Sequence, residues 1–528
     1  MKNKSMDLSP SNIPNPRREF IKKGTAITAL ITASPLLGYP EITDVNKPWQ
    51  IGSKSFGAST NRDSGRMFGI QVGPDSLVDE GTEKVLDILQ EKGAINTIFL
   101  TTFTHGQGLA GRQTEATLHD HGAPASSGKP FYGGNFATPH PEFYKNTTLN
   151  DMRAPDFGNI DIVTELLPAA KKRGIKVFCS VEDQMRIERP GAKEAAEIDL
   201  NGRPANTLCL FNPNVRAFWT SLVTDLCKSY DIDGILFFNE RNGPLLSALG
   251  ASHFQSINSS RVTCFCDHHR RAAMDHGINF DRARQGYLKL DQFVQASLKD
   301  QRPSDGYYVA FQRLLLEFPE IIAYDRLFDI GKHQVLNEVK MAVKGVNKNL
   351  QVGFHIEHVN SFNPFFRATR SYSDLASKAD FLKVVVYNNC GGERYANFIR
   401  NIGSTLFRDV PKEELMRFNN HLLNYGNEAK FEDLASTGLS SDYVYRETQR
   451  ALAGVEGMCS ILPGIDIGIP VAANSRKASP DDTYAATIAA FNAGARGVIL
   501  SRKYSEMKLA NLEAAGRAIS DGSKKVYP

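Results

Sequence analysis

The sequence predicts an α/β fold, a (β/α)8 TIM barrel with long insertions in its βα loops, and three observations carry the prediction. Eight short apolar runs alternate with helical segments between residues 66 and 519, the count that a closed parallel barrel needs. One run, Asp233-Gly-Ile-Leu-Phe-Phe-Asn-Glu240, is apolar at every position from 235 to 238, as a parallel strand covered on both faces must be. After the first run the chain reads Gly73-Pro-Asp-Ser-Leu77, which does not fit the Gly-rich phosphate turn of an open, doubly wound sheet.

Composition bounds the function classes. The 528 residues are 41% hydrophobic and carry a formal net charge of only +4, so a large core is available and nothing argues for nucleic acid or an anionic membrane as partner. Seven cysteines, scattered and odd in number, are not a disulfide scaffold. Near the N-terminus, Asn15-Pro-Arg-Arg-Glu-Phe-Ile-Lys-Lys23 precedes a mildly apolar run over 24–37, the form of a twin-arginine export signal. The run is too short and too rich in Thr and Ala for a stable membrane anchor, and no cysteine follows it closely for lipidation. We expect a signal over 1–40, a linker over 41–61, a barrel over 62–528, and a periplasmic or secreted protein. A basic, disordered arm is the alternative reading of 1–60.

In chain order, the first strand is expected at 66–73 and a helix at 79–93, where Val85, Leu86 and Leu89 recur at helical spacing before a Gly stop. The second strand is expected at 95–101. A long loop over roughly 103–159 holds His105, His119, His121 and His140 among many aromatics and glycines; loops this long within a domain are usually functional or disordered, and the aromatics argue for order. A helix over 160–173 leads to the third strand at 175–181, and a helix over 215–230 to the fourth at 233–240. An insertion over 241–330 follows, with a strong helix at 307–318 and another near 330–344. The fifth strand is expected at 351–358, the sixth at 381–387, the seventh at 460–468 and the eighth at 496–501. Helices are expected at 372–379, within 390–457, at 481–493 and at 505–519.

A parallel barrel carries its chemistry at the C-terminal strand ends. Those ends hold Glu182 and Asp183, Asn239 and Glu240, His355, Glu357 and His358, Tyr387, Asn388 and Asn389, Asp466, and Arg502. A carboxylate-rich mouth suits acetal hydrolysis, in which one carboxylic acid protonates the leaving oxygen and a second carboxylate attacks or activates water. The period of two puts Gly353, His355 and Glu357 on one face, expected to point inward. Lys383 is out of place in an apolar run, and its burial would call for a carboxylate partner.

The Asn239-Glu240 pair closing strand four resembles the clan of (β/α)8 glycoside hydrolases in which that Glu is the acid/base and that Asn holds the sugar hydroxyl beside the scissile bond. Longer segments, including Cys264-Phe-Cys-Asp-His-His269, His358-Val-Asn-Ser-Phe-Asn-Pro-Phe-Phe-Arg367 and Pro463-Gly-Ile-Asp-Ile-Gly468, are similar to a group of exported glycoside-hydrolase-like barrels. The resemblance implies Glu240 as general acid. Where the clan places a nucleophilic Glu at the end of strand seven, this chain offers Asp466, one methylene shorter; Glu182 is the next choice, and Glu357 stands in reserve. Asn239, His355, Tyr387 and Arg367 would position a poly- or oligosaccharide. A carboxyl gap of roughly 5 Å would mean retention and roughly 6.5–9.5 Å inversion.

Each residue has a structural alternative: strand cap for Asn239-Glu240, helix or loop cap for Asp466, solvated charge for Glu182, ion-pair partner of Arg367 or Lys383 for Glu357, and wall residue for His355. Tyr132, Phe136, Phe143, Tyr144, Phe365, Phe366 and Tyr387 offer flat faces for sugar rings or simply core. Cys264, Cys266 and His269 have soft-ligand spacing and, with one more ligand such as His268, His276 or a distant Cys, would hold structural zinc; packed thiols are the alternative. No cofactor is called for. The rivals to a glycosidase are a non-catalytic carbohydrate-binding barrel and a metal-dependent hydrolase using the loop histidines.

Overall fold

Each of the eight apolar runs forms a strand, because each can bury both faces only inside a covered parallel sheet. The computed structural model describes residues 66–525 apart from 112, 114–117, 122–129, 151 and 253–256; the segments expected to be an export signal and a linker lie outside the described residues. The strands are β1 (Phe68–Val72), β2 (Thr97–Thr104), β3 (Lys176–Glu182), β4 (Gly234–Phe238), β5 (Gln351–Ile356), β6 (Phe381–Val385), β7 (Ser460–Asp466) and β8 (Val498–Ser501). Every neighbouring pair is parallel, and β1 pairs with both β2 and β8, which closes the barrel.

One helix after each strand covers the outside: α1 (Thr82–Glu91), α2 (Ile162–Lys172), α3 (Pro213–Ser229), α4 (Glu320–Val346), α5 (Tyr372–Ala376), α6 (Ser441–Val455), α7 (Pro480–Asn492) and α8 (Leu509–Lys525). Local sequence starts several of them. The Asp161 carboxylate caps α2 by accepting from Val163 and Thr164 N–H, and Ser479 with Asp482 forms a capping box on α7. The helix expected over 79–93 is broken in two, because Gly81 adopts φ 86° between Pro74–Glu80 and α1; glycine reaches that conformation without a Cβ penalty.

Strand alternation sorts the interior. Phe99, Phe178, Leu236, Phe381, Leu462 and Ile499 fill the barrel as one buried cluster. The rings of Phe99, Phe178 and Phe381 stand 5.1–5.9 Å apart. Gly353 makes room for this plug: a Cβ there would fall 2.1 Å from the Phe381 ring. The opposite strand faces, with Ile70, Ile98, Val177, Ile235 and Val352, join the helices in the outer core.

The connections carry what the period did not predict. A short antiparallel ribbon, 196–198 with 204–208, lies between β3 and α3. The insertion after β4 holds helices Asp267–Asp275, Phe280–Leu298 and Tyr307–Glu317, and α4 begins ten residues before the expected 330. Among the described residues no helix is long and apolar enough to cross a membrane.

Candidate functional site

Strand alternation carries polar side chains onto the phenylalanine plug. Gln71, His355, Lys383 and Ser501 lie on the inward parity of β1, β5, β6 and β8, and all are buried. Lys383 Nζ donates to Gln71 Oε1 and, at 3.0 Å, to the Tyr387 hydroxyl; Ser501 Oγ donates to the same Gln71 oxygen at 2.9 Å. The carboxylate expected beside Lys383 is replaced by these neutral acceptors. Burial therefore pushes the ammonium pKa down to about 7, against the pull of Glu240. His355 stacks on Phe238 with centroids 4.5 Å apart, and burial lowers its pKa, so the neutral imidazole is favoured.

Two carboxylates rise above this floor. Glu240, two residues past β4, meets His355 Nε2, and its side chain is 43% exposed, so solutes can reach it. Glu182 ends the adjacent strand, opposite Phe238 in the register. It is buried and accepts from the Thr104 hydroxyl. Burial raises its pKa to about 8; the Thr104 hydrogen bond opposes this and the Glu240 charge adds to it. Glu182 is thus held in its protonated form beside an exposed carboxyl, and a protonated carboxyl near a second one is what acid/base work requires.

The segment carrying Glu240 is held on both sides. Asp183 accepts from Asn239 Nδ2 at 3.0 Å and pairs with Arg241 at 3.1 Å. Arg241 also pairs with Glu197 at 2.8 Å, and its carbonyl accepts from Arg370 Nη2 at 2.8 Å. Asn239 Oδ1 is buried with no hydrogen-bond partner.

Several expected roles are corrected by the geometry. Glu357 does not point into the barrel. β5 ends at Ile356, the alternation lapses, and Glu357 is buried in ion pairs with Lys332 and Arg370, not with Arg367 or Lys383. Asp466 does sit at the end of β7, but its carboxylate is buried and accepts N–H from Cys390 at 2.8 Å, Ile469 at 3.1 Å and Gly468 at 3.2 Å. It organises the loop, with both carboxylate oxygens engaged by backbone N–H groups. Arg367 pairs with Glu447 at 2.7 Å and bonds the Tyr425 hydroxyl at 2.9 Å, which engages it in helix packing rather than at the mouth. Of the aromatics, Phe136, Tyr144 and Phe366 are core, while Tyr132 and Phe365 are exposed.

Three residues at the mouth went unsingled by strand reading. Thr104 belongs to a β2 that runs past its expected end. Gln71 is a polar residue in an apolar run. Arg394 lies on the helix Asn389–Ile402 after β6, where it donates to His358 Nδ1 at 3.2 Å and covers the Tyr387 ring.

The insertion motif gains its fourth ligand. Cys209, Cys264, Cys266 and His269 place one ligand atom each within 4.8 Å of one another. Cys209 Sγ lies 3.4 Å from Cys266 Sγ and 3.3 Å from His269 Nδ1. Three thiols and an imidazole at this spacing fit a closed tetrahedral zinc site, with bonds of roughly 2.0–2.3 Å. Neither neighbouring histidine joins: His268 bonds Arg271, and His276 is exposed. The loop histidines do not converge either. His121 bonds Glu80 and the Met507 carbonyl, His140 bonds Asp225, and His105 bonds the Gln184 carbonyl; the His119 side chain lies outside those described.

No family model and no curated protein matches the sequence. Among solved structures, the chain is similar to alpha-L-fucosidase isoenzyme 2 from Paenibacillus thiaminolyticus, at 12% identity and TM-score 0.43, covering 86% of this chain and 49% of that one. It is also similar to the PgaB (BpsB) glycoside hydrolase domain from Bordetella bronchiseptica, at 10% identity and TM-score 0.43, covering 83% and 94%. A third is the beta-galactosidase from the psychrophilic Marinomonas ef1, at 10% identity and TM-score 0.47, covering 86% and 59%. The chain thus spans about half the length of the first and three fifths of the third. It is a closed (β/α)8 barrel whose structural neighbours are glycoside hydrolases.

Proposed function

We propose that this chain is an exported glycoside hydrolase that cleaves a poly- or oligosaccharide with Glu182 and Glu240. The observation that carries the reading is the pair of adjacent carboxyls at the barrel mouth in opposed environments. Glu182, with its pKa raised to about 8, holds a proton at neutral pH and is the acid. Glu240, exposed and in contact with His355, is the carboxylate that attacks or directs water. The clan resemblance would give the acid role to Glu240; the raised pKa of Glu182 favours the reverse assignment. Asn239, His355 and Tyr387 position the sugar. Export rests on the twin-arginine segment alone. Zinc at Cys209, Cys264, Cys266 and His269 is structural in this reading, because a four-ligand site leaves no open position for substrate.

A second reading, a carbohydrate-binding barrel without turnover, is favoured by the engagement of Asp466 with backbone N–H groups. One experiment separates them: product release from a broad glycan panel by the parent, Glu240→Gln and Glu182→Gln. Cleavage by the parent with near-complete loss in Glu240→Gln supports the glycosidase. Binding by all three without cleavage supports the scaffold. Equal cleavage by all three removes both carboxyls from the mechanism.

A further inference from the structure

The cysteine–histidine centre and the Glu240 segment are the two ends of one buried chain of contacts. Cys209 follows Leu208, whose carbonyl accepts from Arg241 Nη2 at 2.6 Å. Cys264 follows Thr263, whose hydroxyl donates to Glu197 Oε2 at 2.7 Å. Glu197 Oε1 is in ion-pair contact with the same Arg241 nitrogen at 2.8 Å. The ribbon strand that carries Glu197 is tied to the ligands on both sides: Cys209 N–H donates to the Ala195 carbonyl at 3.0 Å, and Ile198 N–H donates to Cys264 Sγ at 3.3 Å. From Arg241 the chain continues to Asp183 at 3.1 Å and on to Asn239 at 3.0 Å.

Glu240 stands between the two residues that Asp183 holds. Its own side chain is half-exposed and meets His355 Nε2, so the aim of its carboxylate is set by that contact together with the backbone at 239–241. Asp183, Glu197, Asn239 and Arg241 are all buried. A buried charge separated from its partner is costly, so a displacement at Leu208 or Thr263 is relieved by moving Arg241 and Asp183 together rather than by breaking their contacts. The centre lies one peptide unit from both of those residues.

We propose that Asp183, Glu197 and Arg241 are positioning residues for the Asn239–Glu240 pair, and that a metal ion in the cysteine–histidine centre fixes where they stand. The metal then acts on the reaction without touching substrate. The consequence for catalysis rests on the glycosidase reading; the mechanical coupling does not.

The test is hydrogen–deuterium exchange of the full chain, with zinc as the probe. Removing zinc with a chelator is expected to speed exchange at 239–241 by at least about tenfold, and adding zinc back to restore it. Zinc-loaded Glu197→Gln and Arg241→Met, each still binding the metal, are expected to exchange fast at 239–241 while the ligand segments stay protected. In the activity arm, stripping is expected to lower kcat by about 10- to 100-fold with KM little changed, and Arg241→Lys to keep part of the rate. Loss of protection at the ligand segments alone, with 239–241 unchanged, overturns the proposal. If stripping unfolds the whole chain, the zinc-loaded variants decide: parent-like protection at 239–241 overturns the proposal, and its selective loss supports it. A parent that cleaves no glycan overturns the proposed function and leaves the exchange results to judge this inference.

Discussion

His355 presents Nε2 to a carboxylate oxygen of Glu240 while its ring lies stacked on Phe238. Burial lowers the imidazole pKa, so the neutral ring has one N–H to give, and Glu240 is the acceptor in reach. Nδ1 and Nε2 are both buried outside hydrogen-bond geometry, and Nε2 meets Glu240 as an ion-pair contact. A hydrogen bond to a charged acceptor is worth about 1.5–3 kcal/mol, or roughly 10- to 100-fold in rate. His355→Ala should lower kcat/KM by that factor, and His355→Gln, which keeps a donor, should lose less. Equal, full loss in both would mean that the stacked ring rather than its N–H is what Glu240 requires.

The raised pKa of Glu182 makes two predictions of definite sign. As the proton donor, it should give kcat/KM an alkaline limb near pH 8. Glu182→Gln should lose that limb, and aryl glycosides with acidic leaving groups, which need no proton, should still be cleaved. Glu240→Gln should cleave neither kind of substrate. The stability effect follows from linkage. A carboxyl raised from 4.5 to about 8 binds its proton more tightly in the folded state, so it opposes folding increasingly as pH rises from 4.5 through 8. Glu182→Gln should therefore match the parent near pH 4 and be the more stable protein at pH 9. A gap that widens on acidification would refute the buried, protonated assignment.

Lys383 carries the opposite sign. Its pKa falls from 10.5 to about 7, so the unfolded chain binds the proton more tightly. The group's cost to folding is complete below pH 7 and fades as pH rises to 10.5. Its acceptors, Gln71 and Tyr387, are neutral. Lys383→Met should raise stability at pH 6 by about 1–4 kcal/mol and leave it little changed above pH 10.5, as urea melts at the two pH values would record. Activity should fall in the same variant, because the ammonium charge that acts on Glu240 is lost. A variant destabilised at pH 6 would mean that the hydrogen bonds to Gln71 and Tyr387 outweigh the burial of the charge.

The barrel was legible because its rule is short-ranged. Apolar runs and the period of two are local; they place Glu182 and Glu240 at strand ends and His355 on the inward parity before any tertiary contact is considered. The same rule fails at Glu357, where the strand stops one residue earlier and a buried pair with Lys332, on α4, takes the side chain. Asp466 is found at its strand end, yet the sequence carries no sign that three backbone N–H groups will converge on it. The helix Phe280–Leu298 was within reach of sequence reading, since Phe280, Ala283, Tyr287, Leu290 and Val294 are buried at spacings of three and four. Arg394 and Arg241 were not within reach. Their tasks are set by His358, Asp183 and Glu197, which lie 36, 58 and 44 residues away.

Cys209 is the sharpest case of a site closed by a distant residue, and it can be tested without any substrate. It lies 57 residues before Cys266, across the whole of β4, and nothing in the local motif announces it. The four ligand atoms fall within 4.8 Å of one another, and tetrahedral zinc uses all four. The chain should therefore bind one equivalent of zinc, and cobalt substituted for it should give the absorption of a tetrahedral thiolate site. Cys209→Ser should weaken zinc by at least about 100-fold, and so should Cys264→Ser, while His268→Ala should leave affinity unchanged, since its ring bonds Arg271 instead. Metal removal should also lower the melting temperature of the parent, because binding restricted to the folded state adds directly to stability. Parent-like zinc affinity in Cys209→Ser would return the cluster to packed thiols around a three-ligand motif.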